Sequence, residues 1–367
     1  MKLRSLTGCL AAVLALFLAL PALAAPSRGL WVVRYNLESP QEIDAVVDAA
    51  QAGSIKDIYA QVCGRAEAYY RSQLLPSAPG IEQGFDPLGY LLERAQSKGI
   101  KVHAWVNAYT VASWSRLPDL SPQHILNRHP EWVQVDSLGR SLWEYSGPTS
   151  EVPALFLDPG ALGVREHVVS VVKEIVENYP VDGIHLDYIR YPGPEYGYTP
   201  SSLSAFAAEK GWQPLSDGLV DPLEWDNWRR RQVTETVAAV KEVVALHSGV
   251  QLSAAVVSDP LEARSEYLQD WQEWLAKGLV DYVVPMVYLD DLAEFARALD
   301  NIRHWVGTEG IAPGIGVYKI ADQPRVLARQ MQLVEELGFS RLVFFEYQTM
   351  AEHAVFSQLQ LGLPSGF

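Results

Sequence analysis

The sequence is poor in cysteine and in positive charge. It contains 2 cysteines in 367 residues, and only Cys63 lies beyond the N-terminal segment discussed below. Removal of that segment would leave no partner for an intramolecular disulfide. Lys and Arg number 29 against 44 Asp and Glu, for a formal net charge of −15. This acidic balance argues against nucleic acid and anionic membrane surfaces as partners.

Long apolar runs are also rare, and the main one is N-terminal. Lys2 and Arg4 precede an apolar run over residues 10–20, and Pro21-Ala-Leu-Ala24 provides small residues at a cleavage position. The run is too short to span a bilayer and is typical of a secretory signal peptide. We therefore expect residues 1–24 to be removed and residues 25–367 to be exported, to the periplasm or beyond, with no membrane attachment.

The remaining chain alternates strand and helix patterns. Apolar, β-branched segments predict strands at 29–35, 55–62, 101–107, 183–189, 250–257, 281–288, 311–318 and 341–347. Helical periodicity predicts helices at 40–52, 87–98, 164–179, 225–247, 267–277, 291–304 and 324–337. Eight strands that alternate with helices predict a single α/β domain, a (β/α)8 TIM barrel over residues 25–367. No glycine-rich phosphate-binding fingerprint supports the alternative doubly wound sheet, and no cofactor is predicted.

One connection is longer than the others. Residues 108–163, after the third strand, contain Trp114, Trp132, Trp143 and Tyr145. Residues 132–143 are typical of a small hairpin that turns at 136–139. Because the segment follows a strand, we expect an insertion over the mouth of the barrel. It would either wall a cleft with aromatic side chains or pack only on itself.

The most informative segment is Asp182-Gly-Ile-His-Leu-Asp187-Tyr-Ile-Arg190-Tyr-Pro192. Strand periodicity places His185 and Asp187 on one face. A carboxylate is unfavourable at the end of an apolar strand unless it has a partner or a function. Since barrel active sites lie at the carboxyl ends of the strands, Asp187 is the leading catalytic candidate; the alternative is a structural ion pair with an arginine.

Several motifs resemble a known family. They are Arg28-Gly-Leu-Trp31, Gln61-Val-Cys-Gly-Arg65-Ala-Glu67-Ala-Tyr69-Tyr70, His103-Ala-Trp105-Val-Asn107, Leu157-Asp158-Pro159-Gly160, the segment around Asp187, and Pro285-Met-Val-Tyr288. Together they resemble the glycosyl-hydrolase-like 10 family of secreted bacterial (β/α)8 barrels, from about residue 28 to residue 347. The resemblance implies glycoside hydrolysis, with peptidoglycan glycan strands that lack stem peptides as a substrate.

Glycoside hydrolysis normally uses two carboxyl groups. We expect Asp187 to act as the nucleophile or base, ionised with help from Arg190. For the proton donor there are two candidates. Asp290 ends the sixth strand, where similar retaining glycosidases carry their acid, but it could instead cap the next helix. Glu346 ends the eighth strand among aromatic residues, which would raise its pKa, but it could instead pair with Arg65 or Arg341.

The predicted substrate-binding residues lie at or near strand ends. They are Gln61, Arg65, His103, Trp105, Asn107, His185, Arg190 and Tyr288. Eleven Trp and seventeen Tyr also favour a carbohydrate ligand, because aromatic faces stack on sugar rings, although most aromatic residues belong to cores. For His103 and Trp105, which lie deeper, filling of the barrel interior is an equal alternative.

Two other functions stay open at this point. A metal-dependent polysaccharide deacetylase would need His103, His185 and Asp187 to converge. The histidines otherwise show no metal-binding spacing, so no metal site is predicted. A non-catalytic glycan-binding barrel would use the same carboxylates only as hydrogen-bond partners for the sugar.

Overall fold

The structure is a computed structural model that describes residues 25–149, 152–211 and 221–361. The predicted signal peptide, residues 1–24, lies outside the described residues. In the part of the chain that is described, no helix is both long enough and apolar enough to cross a membrane.

The strands are β1 (Ser27–Val32), β2 (Asp57–Cys63), β3 (Lys101–Asn107), β4 (Thr110–Ala112), β5 (Leu155–Phe156), β6 (Gly183–Asp187), β7 (Gln251–Val256), β8 (Tyr282–Val287), β9 (Gly314–Gly316) and β10 (Arg341–Phe345). Eight of them close into a parallel barrel in the order β1-β10-β9-β8-β7-β6-β3-β2, whereas β4 and β5 form a separate antiparallel pair. The predicted (β/α)8 barrel is confirmed, and all eight barrel strands overlap the predicted ones.

The α-helices of the described residues are α1 (Pro40–Ala52), α2 (Pro87–Gln96), α3 (Ile125–Arg128), α4 (Val164–Asn178), α5 (Pro200–Lys210), α6 (Pro222–Val244), α7 (Pro260–Ser265), α8 (Trp271–Ala276), α9 (Leu292–Val306), α10 (Pro324–Glu336), α11 (Tyr347–Glu352) and α12 (Val355–Leu361). The sequence analysis missed α3, α5, α7, α11 and α12. Most of these helices are short, so few of their residues can show a helical hydrophobic period. Even the longest of them, α5, buries only Ser202, Phe206 and Ala207.

Local sequence explains where helices begin and end. Ser39 and Glu42 form reciprocal side-chain to backbone hydrogen bonds at the start of α1, with Pro40 at its first position. Gly99, Gly278 and Gly338 adopt positive φ after their helices. Gly53, for which the same conformation is expected, does not: its φ is −79°, and Ser54 takes the left-handed conformation instead.

The barrel interior contains polar and aromatic side chains in layers. The register pairs His103 with Gly183, Trp105 with His185 and Asn107 with Asp187, so each pair lies one layer nearer the mouth than the last. Trp31 Nε1 donates to His185 Nε2 (3.0 Å), and His185 Nδ1 lies 2.9 Å from Ser253 Oγ. An indole nitrogen only donates, so His185 carries its proton on Nδ1 and is neutral. Burial, reinforced by the nearby His103, holds the pKa of His185 well below its usual value.

The segment between β3 and α4 packs on itself and on the loop before α5, where the N–H groups of Gly197 and Tyr198 donate to the Val135 carbonyl. Its predicted turn forms, since Asp136 N–H donates to the Arg140 carbonyl (2.9 Å). The indole groups of Trp114 and Trp143 donate to carbonyls of this same segment, those of Leu142 and Pro130. The side of the insertion that faces the mouth instead presents Thr110, Pro153 and Ala154, so the aromatic residues do not provide the wall.

Candidate functional site

A cavity opens at the carboxyl ends of the barrel strands, with Asp187 in its lining. Strands and the loops that follow them supply its walls: Trp31, Val33, Arg34, Tyr35, Gln61, Arg65, Trp105, Asn107, Thr110, Pro153, Ala154, Asp187, Tyr188, Arg190, Ala255, Met286, Tyr288 and Phe345. Its volume of about 280 Å³ lies near the lower limit for ligand pockets. Of the described residues in this lining, Asp187 is the only acidic one.

Asp187 is 7% exposed. Burial raises its pKa above the ordinary value, because a carboxylate loses its hydration there. Three groups oppose this effect: the Arg190 guanidinium, the Tyr188 backbone N–H, which donates to Oδ1 (2.7 Å), and the Trp105 indole. Arg190 Nη1 lies 3.9 Å from Asp187 Oδ1, too far for a hydrogen bond. The net effect is a carboxyl group that holds a proton more readily than an exposed aspartate.

A row of hydrogen bonds crosses the ends of β2 and β3. Asn107 Nδ2 donates to the Gly64 carbonyl (2.8 Å) and to Thr110 Oγ1 (2.9 Å). Gln61 Nε2 donates to Asn107 Oδ1 (3.3 Å), and Arg34 Nη1 donates to Gln61 Oε1 (2.8 Å). These contacts hold polar side chains at fixed positions beside Asp187, which favours recognition of a ligand rich in hydroxyl groups.

The opposite side of the cavity is aromatic. Tyr288 and Phe345 stack with ring centroids 5.3 Å apart, and Trp31 meets both rings edge-on. Tyr318, which is 50% exposed, extends this group toward solvent by contacting Tyr288 and Phe345. An aromatic wall facing a polar one suits a sugar ring, which has apolar faces and hydroxyl edges.

Most of the predicted binding residues line this cavity. Gln61, Arg65, Trp105, Asn107, Arg190 and Tyr288 do so together with Asp187. His103 and His185 do not, and the expectation that they contact substrate is corrected. Both are 0% exposed, because they lie one or two layers below Asp187; His103 instead lies 3.1 Å from Asp57 Oδ1 and stacks on Tyr59.

Neither of the two predicted proton donors lines the cavity that contains Asp187. Asp290 is exposed and lies outside the cavity lining, and the neighbouring Asp291 caps α9 by accepting from the Glu294 N–H (2.8 Å). Glu346 caps α11, where its carboxylate accepts from the N–H groups of Gln348 and Thr349. The pairing of Glu346 with Arg65 or Arg341 and the capping role of Asp290 are therefore also corrected.

The structure adds residues that the sequence analysis missed, chiefly Arg34 and Tyr35. Both follow β1, and both also line a second cavity with Arg65, Glu38, Glu67 and Arg116. The two cavities are therefore adjacent, with Arg34, Tyr35 and Arg65 lining both. Arg34 was detectable, because it is a charged residue at the end of an apolar strand, the same signal that marked Asp187.

The described residues do not place three His, Cys, Asp or Glu side chains where they could hold a metal ion together. The convergence of His103, His185 and Asp187 required for a metal-dependent deacetylase does not occur. Each histidine already has its own partner below the cavity, Asp57 for His103 and Trp31 with Ser253 for His185.

Solved structures share this fold at low sequence identity. The glycoside hydrolase domain of PgaB (BpsB) from Bordetella bronchiseptica superimposes with a TM-score of 0.71 at 15% identity, covering 93% of this chain and 100% of that one. The α-L-fucosidase isoenzyme 2 from Paenibacillus thiaminolyticus gives 0.67 at 15% identity, covering 91% and 48%.

Relatives by sequence are also named glycosyl hydrolases. Glycosyl hydrolase DigH of Escherichia coli K12 is 24% identical over 357 residues, which cover 82% of this chain and 75% of the relative. Glycosyl hydrolase YngK of Bacillus subtilis is 25% identical over 297 residues, which cover 74% of this chain and 53% of the relative. The sequence profile described as glycosyl hydrolase-like 10 matches residues 26–330, a span that begins just before β1 and ends within α10. With the barrel and its cleft in place, this match over most of the chain shows that the protein belongs to the glycosyl hydrolase-like 10 family.

Proposed function

We propose that the protein is a glycoside hydrolase that cleaves a bacterial polysaccharide, and that its substrate is the glycan strand of peptidoglycan. The observation that carries the proposal is the buried Asp187 carboxyl in a cavity with one polar and one aromatic wall. Family membership and relatives named glycosyl hydrolases support the reaction class. Residues 1–24, with the pattern of a signal peptide, support export to the compartment that contains peptidoglycan.

We assign Asp187 the role of proton donor. The sequence favoured a nucleophile or base, but a pKa raised by burial suits an acid, which must be protonated when the substrate binds. In the proposed reaction the Asp187 carboxyl protonates the glycosidic oxygen as its bond to the anomeric carbon breaks. Water adds to that carbon, and the proton it loses passes to the assisting base or back to the Asp187 carboxylate, which is protonated again before the next turnover.

Two sources can supply the group that assists the attack. Among the described residues that line the two cavities, the other carboxylates are those of Glu38 and Glu67 in the second cavity. Alternatively, a 2-acetamido group of the sugar can attack the anomeric carbon itself, as in substrate-assisted glycosidases. Glu38→Gln and Glu67→Gln separate these routes, since the substrate-assisted route leaves turnover intact in both variants.

The test is incubation of residues 25–367 with peptide-free glycan strands, with and without a chelator, followed by mass analysis of the products. We expect shortened strands whether or not the chelator is present. Loss of acetyl groups that the chelator abolishes would instead identify a deacetylase.

A non-catalytic glycan-binding barrel is the second candidate, because the described cavity contains a single carboxylate. It predicts retention of glycan strands without any product. The Asp187→Asn variant decides between the two: we expect turnover to fall at least about 100-fold, the usual scale for loss of a general acid. Asp290→Asn is the matched control, since Asp290 is exposed outside the cavity.

A further inference from the structure

Two arginines at the junction of the cavities have no acidic partner. Arg34 Nη1 donates to the Gln61 amide oxygen (2.8 Å), and Arg65 Nη1 donates to the Ser113 hydroxyl (2.7 Å). Among the ion pairs of the described residues, neither guanidinium takes part. Arg116, in the second cavity, differs because it lies 3.7 Å from Glu67 Oε1. Both guanidinium groups therefore line the two cavities without an ion pair among the described residues.

The two charges are also close enough to disfavour each other. Arg65 is partly buried, and burial together with the charge of Arg34 lowers its pKa. A third guanidinium, that of Arg190, has a buried Nη1 without a hydrogen bond. The two cavities together are lined by four arginines, Arg34, Arg65, Arg116 and Arg190, and by three acidic residues, Glu38, Glu67 and Asp187, in a chain whose formal net charge is −15. Such a local excess of positive charge calls for a negatively charged ligand.

The neighbouring side chains indicate what kind of anion fits. Tyr35 is 51% exposed, lines both cavities, and has the Arg34 guanidinium 5.3 Å from its ring centroid. Its exposed ring offers a surface for a sugar, while the guanidinium groups match the planar, two-oxygen geometry of a carboxylate. The ligand that uses both features is a sugar that bears a free carboxylate.

We propose that Arg34 and Arg65 form a subsite for the carboxylate of an acidic sugar, placed next to the bond that is cleaved at Asp187. This inference rests on the proposed function for the position of the cleaved bond, but the carboxylate selectivity can be measured without turnover. The carboxylate can come from a uronic acid or from a lactyl ether such as that of muramic acid, and the test treats these as separate ligands.

Binding is measured by calorimetry on the Asp187→Asn protein, which keeps the ligand intact. The ligands are a muramic acid disaccharide and a glucuronic acid disaccharide, each as the free acid and as the methyl amide. We expect one of the acids to bind roughly tenfold or more tightly than its amide, the scale for a hydrogen bond to a charged group. Added salt should weaken binding of the acid and leave that of the amide nearly unchanged.

Arg34→Gln and Arg65→Gln, each combined with Asp187→Asn, should reduce the affinity for the acid to that for the amide. Arg297→Gln is the control, since Arg297 is exposed on α9 and lines neither cavity. Equal binding of acid and amide by the parent protein would overturn the proposal. So would an equal loss for both ligands in the variants, because that result indicates a structural role. If only the proposed hydrolysis is wrong, the protein still binds the acid more tightly than the amide, but the wild type releases no product from glycan strands.

Discussion

At the scale of single residues, burial and the neighbouring groups have opposite effects on the pKa of Asp187. Burial removes water from the carboxylate, and this effect is offset only in part by the charge of Arg190, then by the Tyr188 N–H (2.7 Å) and the Trp105 indole. Arg190 stays 3.9 Å away and stacks on Tyr188, with its guanidinium 4.7 Å from the ring centroid. A structural ion pair would close that gap. The arrangement instead keeps a carboxyl group poorly neutralised and facing a cavity, as expected for a functional group.

Because burial raises the pKa of Asp187, we predict that the Asp187→Asn protein is more stable than wild type at neutral pH. The pKa of Asp187 in the folded protein is raised above 3.8, the value for an unfolded chain. Ionisation therefore disfavours the folded state, and stability is lost as the pH rises through the folded-state pKa. Urea denaturation of both proteins at pH 7 and pH 3.5 measures the effect, and the difference should shrink at the lower pH. Asp290→Asn should match wild type at both, whereas an Asp187→Asn protein less stable than wild type at pH 7 would contradict the argument.

At the scale of elements, two carboxylates that the sequence places near strand ends have structural roles at the starts of helices. Asp158 lies in the motif shared with the family but is 0% exposed and accepts from the Thr199 hydroxyl (2.6 Å), the Ser202 hydroxyl (2.7 Å) and the Tyr191 hydroxyl (3.2 Å). It therefore attaches the insertion to the start of α5. Glu346 begins α11 and accepts from two backbone N–H groups and from the Thr349 hydroxyl (2.8 Å).

We therefore predict that Glu346→Ala lowers stability without lowering turnover. Loss of an N-terminal helix cap reduces the free energy of unfolding by about 1 kcal/mol. Denaturation curves measure the first effect, and cleavage of peptide-free glycan strands measures the second. A folded Glu346→Ala protein that has lost turnover would restore Glu346 as a catalytic candidate, and Glu346→Asp, which retains a good capping group, serves as the matched variant.

At the scale of the whole molecule, the barrel encloses the single cysteine of the described chain. Cys63, the last residue of β2, is 3% exposed, and burial raises the pKa of its thiol to about 12. The thiolate, which is the reactive form, is therefore scarce, and reagents cannot reach it while the barrel is closed.

We predict that the thiol of Cys63 in residues 25–367 reacts with a thiol reagent only after opening of the barrel. In native buffer, labelling should be far slower than for a small free thiol, and it should become complete in denaturant. Cys63 belongs to β2, which lies between β1 and β3 in the closed barrel. Its labelling should therefore follow the same denaturation curve as tryptophan fluorescence. Fast labelling of a protein whose fluorescence is still native would show that this part of the barrel opens separately.

Much of the candidate site could be predicted from the sequence because strand geometry is regular. The alternation of strands and helices fixes a parallel barrel, and the active end of such a barrel follows from chain direction. Gln61, Asn107 and Asp187 lie at the ends of β2, β3 and β6, so a period of two places them at the mouth. The same spacing predicts how far each side chain lies below the mouth of the barrel. His103 precedes Asn107 by four residues and therefore lies about 13 Å lower along β3, out of reach of substrate.

Only the tertiary structure decided which charged groups meet. Asp290 and Glu346 both follow barrel strands, but beyond a strand the chain turns according to contacts with distant residues, and these turns aim Asp290 at solvent and Glu346 at a helix end. Arg34 and Arg65 are 31 positions apart in sequence, yet both line the junction of the two cavities. The sequence by itself thus determined the barrel and the position of Asp187 at its mouth, because these depend on local periodicity and strand direction. The tertiary structure decided the partners of Asp187, because those depend on how separate loops pack against one another.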